Sequence, residues 1–144
     1  MQSTIYRERV LPGPGTFLLP PLLAVLIFAM MLPVNDLAGA IAGLVAALAL
    51  TTILFAKAPV IEVTAGTLRV GRALIERRFL GAIEVIDPED VFAARGHQLD
   101  ARAFTSIQGT VRTMLKIGIT DEADATPYWL FTTRNPEELK TVLS

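Results

Sequence analysis

The chain contains no cysteine, one histidine and one tryptophan in 144 residues. Without cysteine there is no disulfide framework, thiol nucleophile, iron–sulfur cluster or thiolate zinc site. The single histidine, His97, has no second imidazole with which to share a metal, so it reads as an exposed loop residue. Charge is scarce as well: 19% of residues are Asp, Glu, Lys or Arg, against about 25% in soluble domains. A net charge of −1 carries no electrostatic footprint for nucleic acid, which is not expected as a partner. Glycine-rich phosphate loops, Gly-x-Ser-x-Gly elbows and His-Glu-x-x-His helices are absent from the sequence. Asp121-Glu122-Ala123-Asp124 offers oxygen ligands without the spacing or glycine of a calcium loop, and reads as a solvated turn. Glu89-Asp90 and Glu137-Glu138 stand where helix N-termini favour negative charge. No catalytic residue, metal site or cofactor is expected, and the chain does not read as an enzyme.

The missing charge is missing from one place. Between Val10 and Ala56 only Asp36 is charged, and the rest of the chain is charged at an ordinary density. Residues 16–34 (TFLLPPLLAVLIFAMMLPV) and 37–56 (LAGAIAGLVAALALTTILFA) are uncharged. Twenty helical residues rise about 30 Å, the thickness of a hydrocarbon core. Pro20-Pro21 fits a helix beginning near Phe17, because first-turn N–H groups lack intrahelical partners, and Pro33 ends that helix before an Asn35-Asp36 turn. The pair predicts a transmembrane helical hairpin over residues 16–57, with 1–15 as a cytoplasmic N-terminal segment. Arg7 and Arg9 precede it, Lys57 follows it and the turn carries only Asp36, so both termini are expected in the cytoplasm of a two-span cell-membrane protein. Gly39, Gly43 and Ala47 recur at steps of four in the second span. Such small residues let helices approach closely, here either the first span or a partner subunit.

From residue 58 to 144 the pattern changes to period two. Residues 60–63 and 67–70 flank Ala65-Gly66 as a hairpin, and residues 73–77 and 83–86 read as strands separated by Gly81. Residues 111–120 alternate, with Val111, Thr113, Leu115, Ile117 and Ile119 on the packed face and Arg112, Met114 and Lys116 on the wet one. Residues 128–133 form another strand, and 88–94 a short helix. A final helix is signalled by Asn135 as cap, Pro136 at its first position, Glu138 three residues after the cap, and the stripe Leu139, Val142, Leu143. Several antiparallel strands followed by one helix is the order of a pleckstrin-homology-like domain. The predicted class is therefore an α+β membrane protein: an N-terminal transmembrane hairpin, then a β-rich domain with a C-terminal helix.

Three blocks carry a resemblance. Tyr6-Arg7-Glu8-Arg9 precedes the first span, VTAGTLRVG covers residues 63–71, and TPYWLFTTR at 126–134 runs into Asn135-Pro136-Glu137. The chain resembles the actinobacterial membrane family described as domain of unknown function 3093, departing from it at Asp124-Ala125-Thr126-Pro127, where Asp-Pro-Thr-Pro is expected. The resemblance implies two spans and a cytoplasmic β-rich domain, and it supplies no activity.

Three groups remain as candidate contact residues. Arg69, Arg72, Arg77 and Arg78 form a basic cluster able to face anionic lipid or to blunt a sheet edge. Tyr128 and Trp129 are either core or the anchor of a protein interface. Gly39, Gly43 and Ala47 are the candidate helix-packing set. Membrane lipids and other membrane-protein subunits are the expected partners. The leading expectation is an accessory or scaffolding subunit of a membrane assembly; the alternative is an inner-leaflet lipid-sensing tether working through the arginines.

Overall fold

The computed structural model describes residues 3–144. The chain divides into two compact units, one of residues 11–58 and one made of residues up to Val10 together with 59–144.

The first unit is a pair of apolar helices, α1 (Leu19–Met31) and α2 (Asp36–Ala56). A 3-10 turn over Pro14–Leu18 leads into α1, whose Pro20 and Pro21 fall at the helix start where missing N–H groups cost nothing. Pro14–Met31 and Asp36–Ala56 are each long and apolar enough to cross a membrane. Asn35 caps α2 by accepting the Ala38 N–H at 3.0 Å. The only hydroxyls within α2, Thr51 and Thr52, donate to the carbonyls of Ala47 and Leu48 and so present no unpaired donor. Along the pair, Leu22, Val25, Met30, Ile41, Leu44 and Leu48 are exposed.

Gly39 and Gly43 are buried within this hairpin. A Cβ on Gly43 would lie 2.7 Å from the Ala24 carbonyl oxygen, and one on Gly39 would lie 2.8 Å from Met31 Cβ. The two glycines are therefore the close-approach face for α1, which removes them from any surface offered to a partner; Ala47 is half-buried.

The second unit holds two four-stranded sheets. β1 (Thr4–Arg9), β2 (Val60–Thr64), β3 (Thr67–Val70) and β4 (Ala73–Glu76) form an antiparallel meander in chain order. β5 (Leu80–Ile86), β6 (Phe104–Ser106), β7 (Met114–Ile119) and β8 (Tyr128–Thr132) form the second sheet in the order β5-β7-β8-β6. The N-terminal segment is thus not separate from the β-rich domain: Arg7 pairs with Glu62 and Arg9 with Val60. Gly71, at φ +60°, makes the β3–β4 turn in a conformation that favours glycine. Gly81 does not separate a pair of strands. It lies inside β5 at a register shift, packed against Thr120 and the Gly118 carbonyl.

One core lies between the sheets. Tyr6, Ile61, Val63, Leu68 and Val70 meet Leu115, Ile117, Trp129 and Phe131, and α4 (Pro136–Leu143) closes it with Leu139 and Leu143. A second cluster covers the opposite face of the β5–β8 sheet, where Met114, Leu130 and Ile86 pack against Val91 and Ala94 of α3 (Val91–Arg95). That corrects the wet face expected for β7, since Met114 is fully buried. β6 was not expected and pairs parallel to β8, whereas the other pairings are antiparallel. Asn135 occupies the N-cap of α4 without a side-chain cap bond, its backbone carbonyl accepting the Leu139 N–H instead.

Replacing Gly43 by Leu should drive α2 away from α1. Cysteines at Phe17 and Phe55, whose rings lie 5.5 Å apart, should join efficiently through a short bifunctional reagent in the parent chain and poorly once Gly43→Leu is added. Undiminished joining would show that the glycines do not set the approach of the helices.

Candidate functional site

The residues singled out as contact groups do not converge. Arg77 donates to the Val142 carbonyl at 2.7 Å and to the Thr64 carbonyl at 3.4 Å, fastening the end of α4 to the β2–β3 turn. Arg78 is ion-paired with Glu76 at 2.8 Å and lies over the Phe79 ring. Only Arg69 and Arg72 of the four stay exposed with no such engagement. The cluster is contiguous in sequence, yet Arg77 is structural because its acceptor comes from the far end of the chain.

Trp129 is core. It is 5% exposed and its ring lies 4.8 Å from that of Phe104. Tyr128 is half-buried; its hydroxyl accepts the Asp100 N–H at 2.8 Å and donates to the Gln98 carbonyl, while Lys116 Nζ sits 4.5 Å from its ring centre. Strand β8 is covered on both faces, by the main core and by α3, so Trp129 is a core residue and Tyr128 is packed in part against the second cluster.

A buried polar arrangement involves residues that the sequence did not mark as a site. Glu8, on β1, is 9% exposed. Its Oε2 accepts from the Tyr6 hydroxyl at 2.8 Å and from Thr133 Oγ1 at 2.6 Å, and its Oε1 accepts the Arg134 N–H at 2.8 Å. A buried carboxylate is tolerable when several donors replace its water. The donors come from the residue two positions back and from the β8–α4 junction, so the bonds tie the N-terminal strand to the other end of the chain. Tyr6-Arg7-Glu8-Arg9 and the block ending Thr133-Arg134-Asn135 therefore meet at this carboxylate. Burial, reinforced by the hydrogen bond to Glu8, pushes the Tyr6 phenol up to about 12.

Next to this junction lies a cleft of about 550 Å³ lined by Pro88, Val91, Phe92, Arg95, Gly96, Gly109 and Arg112. Phe92 is 86% exposed, although it belongs to the short helix whose Val91 and Ala94 are buried. The Arg95 guanidinium lies close to Gly109, its Nη2 3.9 Å from where a Cβ would stand, which is ordinary contact. Among the described residues, the ion pairs are Arg78–Glu76 and Arg102–Asp100, so neither Arg95 nor Arg112 is neutralised. A short helix with Phe beside two buried small apolar residues was the signal available in sequence. It reads as a core position until α3 is seen to turn that ring outward. The groups of His, Asp and Glu among the described residues include none able to hold a metal ion.

The architecture defines a class: an α+β chain with two long apolar helices near its N-terminus, two largely antiparallel sheets and a C-terminal helix. The family model for proteins of unknown function, DUF3093, matches residues 5–143, and the chain belongs to that family. Neither the curated proteins nor the solved structures returned a match.

A Tyr whose folded value exceeds its unfolded one contributes stability that is present below pH 10 and is lost as pH rises through about 12. Alkaline unfolding followed between those limits should therefore steepen in the parent chain and flatten in Tyr6→Phe. Identical profiles would mean that the phenol is not held protonated by its burial beside Glu8.

Proposed function

We propose that this chain is a two-span membrane protein whose β-rich domain, pleckstrin-homology-like in its order of elements, works at the cytoplasmic face as an accessory or scaffolding subunit of a larger membrane assembly. The observation that carries the reading is the position of the helices in the chain. They are inserted in the connection between β1 and β2, two strands that pair as neighbours from Arg9–Val60 outward. Strands in one sheet lie on one side of a bilayer, so the chain must cross it an even number of times between them. Arg7, Arg9 and Lys57 flank the spans, against Asp36 alone at the turn, which favours the cytoplasm for that side.

The β1–β4 meander, then β5-β7-β8, then α4 supports the pleckstrin-homology-like comparison, with α3 and β6 as additions between β5 and β7. Helix association in lipid depends on close packing, and α2 carries Ala38, Ala42 and Ala49 exposed beside large side chains. These support contact with further membrane subunits. The lipid-tether reading through the basic cluster is weaker, because Arg77 and Arg78 are engaged within the domain.

The cysteine-free sequence allows single cysteines at Ser3, Asn35 and Ser144 to be probed separately. In intact cells a membrane-impermeant thiol reagent should label only the Asn35 site, whereas labelling at Ser144 would overturn the orientation. The tagged full chain, extracted in mild detergent, should co-purify with another integral membrane protein in fixed proportion. Recovery of the chain alone would contradict a subunit role.

A further inference from the structure

We propose that the cleft between Phe92, Arg95 and Arg112 binds the phosphate of an anionic phospholipid, with the Phe92 ring entering the apolar layer beside it. This rests on the two-span reading above. Three observations carry it.

The first is charge. Arg95 and Arg112 both line the cleft, no carboxylate lines it, and neither guanidinium meets a carboxylate elsewhere among the described residues. A guanidinium presents a planar fork of donors that matches phosphate oxygens. Asp87, Glu89 and Asp90 precede α3 without lining the cleft. They weaken any long-range basic field, so the attraction is local to the two guanidinium groups.

The second is Phe92. Exposing a phenyl ring to water forfeits the burial that such a ring ordinarily gains. At 86% exposed, it stands at the rim of a cleft whose polar walls are cationic. An apolar ring beside paired cations matches the boundary of a lipid layer, where phosphate and acyl chain adjoin.

The third is position. Arg112 precedes Thr113, and Thr113 exchanges hydrogen bonds with Thr133: the Thr133 N–H donates to the Thr113 carbonyl at 3.1 Å, and Thr113 Oγ1 donates to the Thr133 carbonyl. Thr133 Oγ1 in turn donates to Glu8, two residues before Val10, whose N–H donates to the Pro59 carbonyl at 2.9 Å. The cleft therefore belongs to the end of the β-rich domain from which the chain departs at Val10 and to which it returns at Pro59. Both apolar helices lie between those two points in the chain, so the connections to them leave and re-enter the domain at this end.

The test uses the full chain with His97→Cys, an exposed position next to the cleft, carrying a polarity-sensitive fluorophore. It is reconstituted in nanodiscs of phosphatidylcholine, alone or with increasing phosphatidylglycerol, and probed with acrylamide, a neutral quencher. Phosphatidylglycerol should shift the emission to the blue and protect the probe. Each arginine should carry about fivefold in lipid occupancy at low salt, so Arg95→Gln with Arg112→Gln should abolish the protection. Phe92→Ser should remove the blue shift. Arg69→Gln with Arg72→Gln should change neither; loss of protection there instead would assign the lipid contact to the other arginines and overturn the proposal. Equal protection in both nanodiscs, or protection by inorganic phosphate in phosphatidylcholine alone, would also overturn it. Insertion of the chain into the nanodiscs is read separately by co-elution. A chain that inserts but shows no lipid-dependent protection refutes the cleft while leaving the two-span anchor standing, whereas one that fails to insert refutes both.

Discussion

A single buried carboxylate holds the β-rich domain closed. Glu8 replaces its hydration with the Tyr6 hydroxyl, the Thr133 hydroxyl and the Arg134 amide, and bonds to a charged acceptor are each worth about 1.5–3 kcal/mol. The strand that carries Glu8 is separated from β2 by the whole helical hairpin. Closing a connection of that length costs chain entropy before β1 gains any sheet bond. The three donors fix β1 at its far end, next to the point where the chain departs toward the helices. Without that fastening, β1 is an edge strand with one neighbour and two exposed arginines, Arg7 and Arg9.

The same constraint organises the domain around it. Thr133 links Glu8 to Thr113, so the carboxylate is joined to the start of β7 as well as to α4. Arg77 repeats the device at the opposite end of the helix by donating to the Val142 carbonyl. Between these two polar fastenings, Leu139 and Leu143 fill the core that the sheets share. An eight-residue helix has little stability of its own, so its packing and its two tied ends are what keep it in place.

Much of this was legible in the residues, and what escaped did so for identifiable reasons. The helical hairpin was plain because nearly fifty residues carry one charge, and its turn was marked by Pro33 and Asn35. Leu115 and Ile117 announced the inner face of β7 by alternation, but Met114 on the other face is buried by α3, a helix that lies well before β7 in the chain. Local periodicity reports one strand's own pattern and is silent about what covers it. β1 was hidden because its inward positions, Tyr6 and Glu8, do not alternate as apolar against polar. Arg77 looked like a member of a surface cluster because a backbone carbonyl as acceptor leaves no trace in sequence. Phe92, an apolar residue that faces outward, carried no signal that set it apart from a core position.

The account stands on β1 being an integral strand that closes the domain across the inserted helices. Hydrogen exchange on the full chain in a lipid bilayer tests this most directly, by comparing amides of residues 4–9 with those of β2 in the parent and in Glu8→Gln. The account predicts that β1 amides in the parent are protected about as long as those of β2, and that Glu8→Gln releases β1 and the Arg134 amide together. Exchange of residues 4–9 at the rate of a free segment in the parent, or protection unchanged by Glu8→Gln, would contradict it.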